Sequence, residues 1–288
     1  MLRFRRVGVM LFVLALLFSA LCGCTPLKDD RPIVAVSILP EAAFVRAVMG
    51  NGVRVAVMVP PGYSPESYTP SIAEMADFSD AVLYFSIGVP MEKTALLPML
   101  SKNTIHLSLA DAARGAAPDL LMDGGRDPHI WLSPSRACSM VEAIAEAAAL
   151  YDPENAATYR ANAAAYIADI ENTDASIRSL LADIPCREFL VYHPAFGYFA
   201  DEYGLTMRAL EKGGKEVTPA DLAATVAHAK EAGIKTVFYQ AETDSRAAEV
   251  LAEEIGGQAV MLSPLAENYL ENLLAMAQAI KAGAAPSP

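Results

Sequence analysis

Short apolar runs recur along the chain at 33–38, 53–59, 81–85, 189–192, 236–239 and 259–262, with a weaker one at 104–109. They are rich in Val, Ile and aromatic residues and show little polar alternation, the pattern of parallel strands covered on both faces. Helical stretches separate them. Thr69-Pro70 and Thr218-Pro219 each read as an N-cap followed by a first-turn proline, and Gly50, Gly233 and Gly256 read as helix stops. Alternation of this kind predicts an α/β fold with parallel sheets flanked by helices.

The stretch 152–182 breaks the alternation. Asp152 can cap, Pro153 suits a first turn, and no proline or glycine follows until Pro185. Tyr159, Ala163, Tyr166, Ile167, Ile170, Ile177 and Leu181 keep a helical period. Some 30 residues at 1.5 Å each span roughly 45 Å. A helix of that length can bridge two lobes as a spine. The expected division is an N-terminal lobe over 32–150, a linking helix over 151–183 and a C-terminal lobe over 184–288.

The start of the chain reads as an address. Arg3, Arg5 and Arg6 precede an apolar run at 9–21, broken only by Ser19, which is too short to span a bilayer comfortably. The segment ends Leu21-Cys22-Gly23-Cys24. A leucine three places before a cysteine, with glycine just before it, resembles the bacterial lipobox. That resemblance implies a signal peptide over 1–23, lipidation of Cys24, and a polar tether over 24–31. Cys22 is the weaker candidate, because Leu21 occupies the position that wants a small residue. An ordinary secretory peptide is the other reading. Either places the protein in a periplasm or on the outer side of a cytoplasmic membrane, held there by lipid in the first case. Cys138 and Cys186 then lie where a disulfide is permitted; two buried free thiols is the preferred expectation.

Charge narrows the partners. The chain of 288 residues has 22 Lys+Arg against 34 Asp+Glu, a net charge of −12. The leader holds three of the basic residues and no acid, so the remainder carries −15. Such a surface repels phosphate backbones and argues against nucleic-acid binding. A monomer is expected.

Polar residues collect where the predicted strands end, which is where open α/β sheets bind ligands. The 53–59 run leads into a proline-framed loop holding Glu66. An acidic loop leads into Asp127-Pro128-His129-Ile130-Trp131-Leu132-Ser133-Pro134. The 189–192 run delivers His193, followed by Pro194-Ala195-Phe196-Gly197-Tyr198. The 236–239 run delivers Gln240 and Glu242, and the last leads to Ser263-Pro264-Leu265. Imidazole nitrogen with carboxylate oxygen suits Zn²⁺, with Mn²⁺ or Fe²⁺ as alternatives.

The segment 127–134 resembles the D-P-H-x-W-L-D-P motif of the zinc/manganese solute-binding proteins of ABC importers. The segment 193–199, with Tyr203-Gly204-Leu205, resembles their second-lobe ligand segment, and 62–70 resembles their G-x-x-P-H-x-Y-x-P loop. The resemblance covers the whole chain after the leader. It implies two α/β lobes bridged by a rigid helix, a metal cleft between them, and delivery of the ion to a membrane permease. Carried over residue by residue, it implies His129, His193 and Glu66 as ligands.

Three departures qualify that carry-over. Glu66 stands where the family has its first histidine. Ser263 stands where the family has the aspartate of a closing D-P-L segment, and the histidine-rich loop of zinc members is absent. Glu242 or Asp244 can supply the missing carboxylate, and water serves equally well. Histidine at the third ligand position, His193, leans toward zinc. His106 reads as a hydrogen-bonded strand residue and His228 as a helix-surface residue. The segment 211–216 reads as a solvated loop, with a role at the lobe interface as the alternative. Two other functions compete: a metal-dependent hydrolase, against which stand the missing nucleophile elbow, H-E-x-x-H and phosphate loop, and an adhesin or receptor for a non-metal ligand.

Overall fold

The computed structural model describes residues 29–115, 118–122, 124–211, 217–242 and 245–284. The chain divides into two units, Met1–Arg31 and Pro32–Pro288. Of the first, only residues 29–31 are described, and there Arg31 pairs with Asp29 at 2.7 Å. The leader, Cys24 and most of the tether lie outside the described residues. None of the described helices is long and apolar enough to cross a membrane.

The second unit carries two four-stranded sheets, both wholly parallel. The first contains β1 (Ile33–Val36), β2 (Arg54–Val57), β3 (Leu83–Ser86) and β4 (Ile105–Ser108) in the order β2-β1-β3-β4. Val34 sits opposite Val55 on one side and Leu83 on the other. Helices α1 (Leu39–Met49), α2 (Ile72–Ser79) and α3 (Leu109–Ala112) connect its strands or follow them. A small antiparallel hairpin, β5 (Leu121–Met122) with β6 (Gly125–Arg126), lies within the expected acidic loop.

Two long helices come next, α4 (Pro134–Tyr151) and α5 (Ala156–Leu181). The second sheet contains β7 (Glu188–Val191), β8 (Thr206–Ala209), β9 (Thr236–Gln240) and β10 (Gln258–Leu262) in the order β10-β9-β7-β8. Its helices are α6 (Gly197–Tyr203), α7 (Pro219–Glu231), α8 (Arg246–Glu254) and α9 (Tyr269–Gly283).

The spine is shorter than its periodicity suggests. Pro153–Asn155 forms a 3-10 turn, and the α-helix proper has 26 residues, about 39 Å at 1.5 Å each. Its predicted stripe is the inward face: Tyr159, Ala163, Ile170, Ile177 and Leu181 are buried. It packs on α1 and α4 before it and on α9 after it. Phe44 of α1 meets the Tyr269 ring edge-on at 4.8 Å and the Tyr166 ring at 6.3 Å, so aromatic packing continues from the first sheet's helices across the spine.

End signals are borne out at Thr218, whose side chain accepts from Asp221 N ahead of Pro219. Gly50, Gly233 and Gly256 all take positive φ just past their helices. The signal at Thr69-Pro70 is displaced. Helix α2 starts at Ile72 because Ser71 and Glu74 form a reciprocal capping box. The eighth strand, β8, was not legible: its half-exposed Thr-Met-Arg-Ala pattern carries no apolar run. Cys138 and Cys186 are free thiols and only half-buried, and burial raises the Cys138 pKa to about 11.

Candidate metal centre

Both sheets change winding direction in the middle. The crevice where sequential strands diverge lies between β1 and β3 in one sheet and between β7 and β9 in the other. Beyond these strand ends the chain brings together two of its four imidazoles, His129 and His193, with the Glu66 carboxylate.

His129 belongs to the segment between the hairpin and α4. Asp127 Oδ1 accepts from the His129 backbone N at 2.9 Å and faces His129 Nδ1 at 2.8 Å. A carboxylate only accepts, so Nδ1 carries the proton and Nε2 is left for the cleft. Both residues are buried. The next turn is anchored across the molecule: Trp131 Nε1 donates to Pro264 O at 2.8 Å, and Tyr269 Oη donates to Trp131 O at 2.7 Å. Ser133 caps α4 and its Oγ meets Glu202 Oε2 of α6 at 2.5 Å.

His193 stands two residues past β7, at the switch point of the second sheet. Its Nε2 lies 3.1 Å from Glu66 Oε1, and its Nδ1 lies 3.0 Å from Glu211 Oε2. Burial opposes protonation of this ring, but bonds to Glu66 and Glu211 and their negative charge outweigh it and raise its pKa to about 9. The same bond to His193 lowers the Glu66 pKa, against partial burial. The two imidazoles meet nearly edge-to-face, ring centroids 5.7 Å apart.

Glu66 comes from the loop between β2 and α2 and stays exposed, while its carboxylate turns inward to His193. One donor atom each from Glu66, His129 and His193 lies within 4.8 Å of the other two. Tetrahedral zinc with bonds of 2.0–2.1 Å needs donors roughly 3.3 Å apart. The His193–Glu66 edge of 3.1 Å already fits, and the remaining donor pairs lie within 4.8 Å. The pocket around these donors, also bounded by Trp131, Gln240 and Leu265, encloses about 10 Å³. That is room for one ion or one water.

The structure does not bring Glu242 into this group. It lines an adjoining cavity of about 300 Å³ together with Ser263, Leu265 and Tyr63. Glu242 Oε2 is buried without a hydrogen-bond partner among the described residues, and burial raises its pKa. Asp244 lies outside the described residues. His106, in β4, bonds Ser86 Oγ at 2.9 Å and stacks on Tyr84, although it is exposed. His228, on α7, pairs with Glu188 at 2.8 Å. Neither approaches the trio. Glu211 is half-buried against His193, not the solvated loop acid that the sequence reading preferred. No sequence signal marks it, because the strand β8 just before it carries no apolar run.

Two parallel-sheet lobes on a long helix are the architecture of the periplasmic metal-binding proteins. The chain belongs to the family described as zinc-uptake complex component A, periplasmic, which matches residues 34–283. The high-affinity zinc uptake system protein ZnuA of Bacillus subtilis is 27% identical over 282 residues, covering 88% of this chain and 88% of that protein. Zinc-binding protein AdcA of Streptococcus pyogenes is 28% identical over 264 residues, covering 83% of this chain. The chain spans about half of that relative, 51% of its length. Among solved structures, a zinc-bound ZnuA deletion mutant shares 34% identity at a TM-score of 0.84, covering 90% of this chain and 100% of that one. The periplasmic zinc-binding protein TroA of Treponema pallidum, 19% identical, shares the fold at a TM-score of 0.82, covering 88% of this chain and 99% of its own.

Proposed function

We propose that this chain is an extracytoplasmic solute-binding protein that captures zinc as cargo and delivers it to an ABC permease for import. The observation that carries the reading is the convergence of Glu66, His129 and His193 at the strand ends of both sheets. Family membership supports it, since the matched family is a zinc-uptake component and not an enzyme. The pocket at the three donors has a volume of about 10 Å³, the scale of a single ion or water.

In this reading the regions 32–150 and 184–288 act as the two capturing lobes, and 151–183 holds them apart. His129 and His193 donate Nε2, Glu66 donates a carboxylate oxygen, and water completes the coordination. Glu242 stays near as an acid in the adjoining cavity. The oxygen donor widens tolerance toward Mn²⁺ and Fe²⁺ relative to three histidines. Cys24 carries the lipid that tethers the protein beside its permease.

The test is metal analysis of protein purified without chelator, followed by calorimetric titration of the metal-free form. One zinc per chain, bound in preference to manganese, is expected. A metal-free preparation that takes up no zinc overturns the proposal. For the anchor, lipid labelling is expected to vanish in Cys24→Ala, and normal labelling of that variant overturns the assignment.

A further inference from the structure

We propose that Glu211 is the positioning residue for His193, setting the ring so that Nε2 faces the metal before the ion arrives. The proposal rests on the reading of His193 as a ligand.

His193 lies between two carboxylates with separate tasks. Glu66 approaches Nε2 at 3.1 Å and comes from the loop that follows β2 of the first sheet. Glu211 approaches Nδ1, on the far side of the ring, and comes from the same sheet as His193. Its backbone is fixed there. Strand β8 runs parallel to β7, and the pairing continues past the last strand residue: Leu210 N donates to Val191 O at 3.0 Å, and Glu211 N to Tyr192 O at 2.9 Å. That register brings Glu211 level with the chain just ahead of His193. Its side chain is also the less accessible of the two carboxylates, 17% against 34% for Glu66.

The arrangement mirrors the other ligand. Asp127 holds His129 Nδ1 at 2.8 Å, and Glu211 holds His193 Nδ1 at 3.0 Å. Each imidazole thus has its own carboxylate on the nitrogen turned away from the cleft. A carboxylate accepting from Nδ1–H selects one tautomer, stops ring flipping and makes Nε2 a stronger donor. Because Glu211 is tied to the strand beside His193, this orientation survives displacement of the Glu66 loop.

The experiment compares zinc affinity of the wild type, Glu211→Ala, Glu211→Gln and His193→Ala against a competing chelator. It adds ¹⁵N NMR of the imidazoles in the zinc-loaded proteins. Glu211→Ala is expected to weaken zinc about 10–100-fold. It should also remove the protected Nδ1–H resonance of His193. Glu211→Gln, whose amide oxygen still accepts, should restore part of the affinity, with the Nδ1–H resonance retained and shifted upfield. If His193→Ala weakens zinc while both Glu211 variants leave affinity and the resonance unchanged, the positioning role is overturned. If His193→Ala itself leaves zinc binding intact, the ligand reading beneath it fails. Should Glu211→Ala not fold, the Gln variant decides alone, and an unshifted resonance with unchanged affinity counts against the proposal.

Discussion

The two histidines of the cleft are held by the same chemistry and by opposite kinds of chain. Asp127 and His129 are two residues apart, and one carboxylate oxygen serves both the backbone N and Nδ1 of the histidine. His193 and Glu211 are 18 residues apart and meet only because β8 pairs with β7. The first pair is written in a local motif and buried beneath a tryptophan. The second is assembled by sheet register and also faces a loop acid. Local geometry resists perturbation because few bonds must hold, whereas the register-built pair depends on every contact that keeps an edge strand in place.

The largest effect that separates the two sides is expected at Trp131. It is fully buried, and its indole N–H and backbone carbonyl link the His129 segment to Pro264 and Tyr269. Trp131→Ala should cost about 3–5 kcal/mol of stability, read by denaturant unfolding. A loss near the 1 kcal/mol of an ordinary substitution would show that the His129 side is no more rigid than its counterpart.

Loss of either imidazole comes next. His129→Ala and His193→Ala should each weaken zinc by tenfold or more, about 1.4 kcal/mol or greater. His106→Ala, which removes a bond to Ser86 Oγ and no member of the trio, should leave affinity unchanged. Equal zinc affinity in all three variants would remove the cleft from consideration.

Charge gives a second handle on the register-built pair. The His193 pKa stands raised from 6.5 to about 9 in the metal-free protein. A histidine with a raised folded-state pKa stabilises the fold fully below its unfolded value and loses that contribution as pH rises through the folded one. The melting temperature of metal-free protein should therefore fall between pH 6.5 and about 9 by more in the wild type than in His193→Ala. Parallel curves for the two proteins would mean that Glu66 and Glu211 do not grip a charged ring.

The same contrast explains what was legible in advance. Seven of the strands announce themselves as apolar runs because both faces of a parallel sheet are covered. The segments whose histidines meet in the cleft were legible because proline stands beside histidine in both, at 127–134 with Trp131 and at 193–198. β8 was hidden because an edge strand of four half-exposed residues has no periodic signature, and Glu211 was hidden with it. Glu242 was misplaced for a related reason. Lying two residues past β9 puts it near the right strand end, but only the three-dimensional course of the loop shows that it faces the larger cavity.

Glu66 carries the smallest expected effect and the finest distinction. It is the one donor supplied by an exposed loop, so neither the local motif nor the sheet register holds it. Its carboxylate lies 3.1 Å from His193 Nε2, the nitrogen that the proposed function assigns to zinc. Under the proposed function, metal capture exchanges that proton-bearing partner for the ion. Carboxylate oxygen is a harder donor than imidazole, so Glu66→His should sharpen preference for zinc over manganese while keeping zinc affinity. Glu66→Gln keeps the shape but loses the charge, and should weaken zinc by about threefold to tenfold, up to about 1.4 kcal/mol. Competitive titration of zinc and manganese against the three proteins reads both effects. If affinity and preference are identical across all three, Glu66 serves only to neutralise His193, and the cleft binds its ion through the two histidines and water.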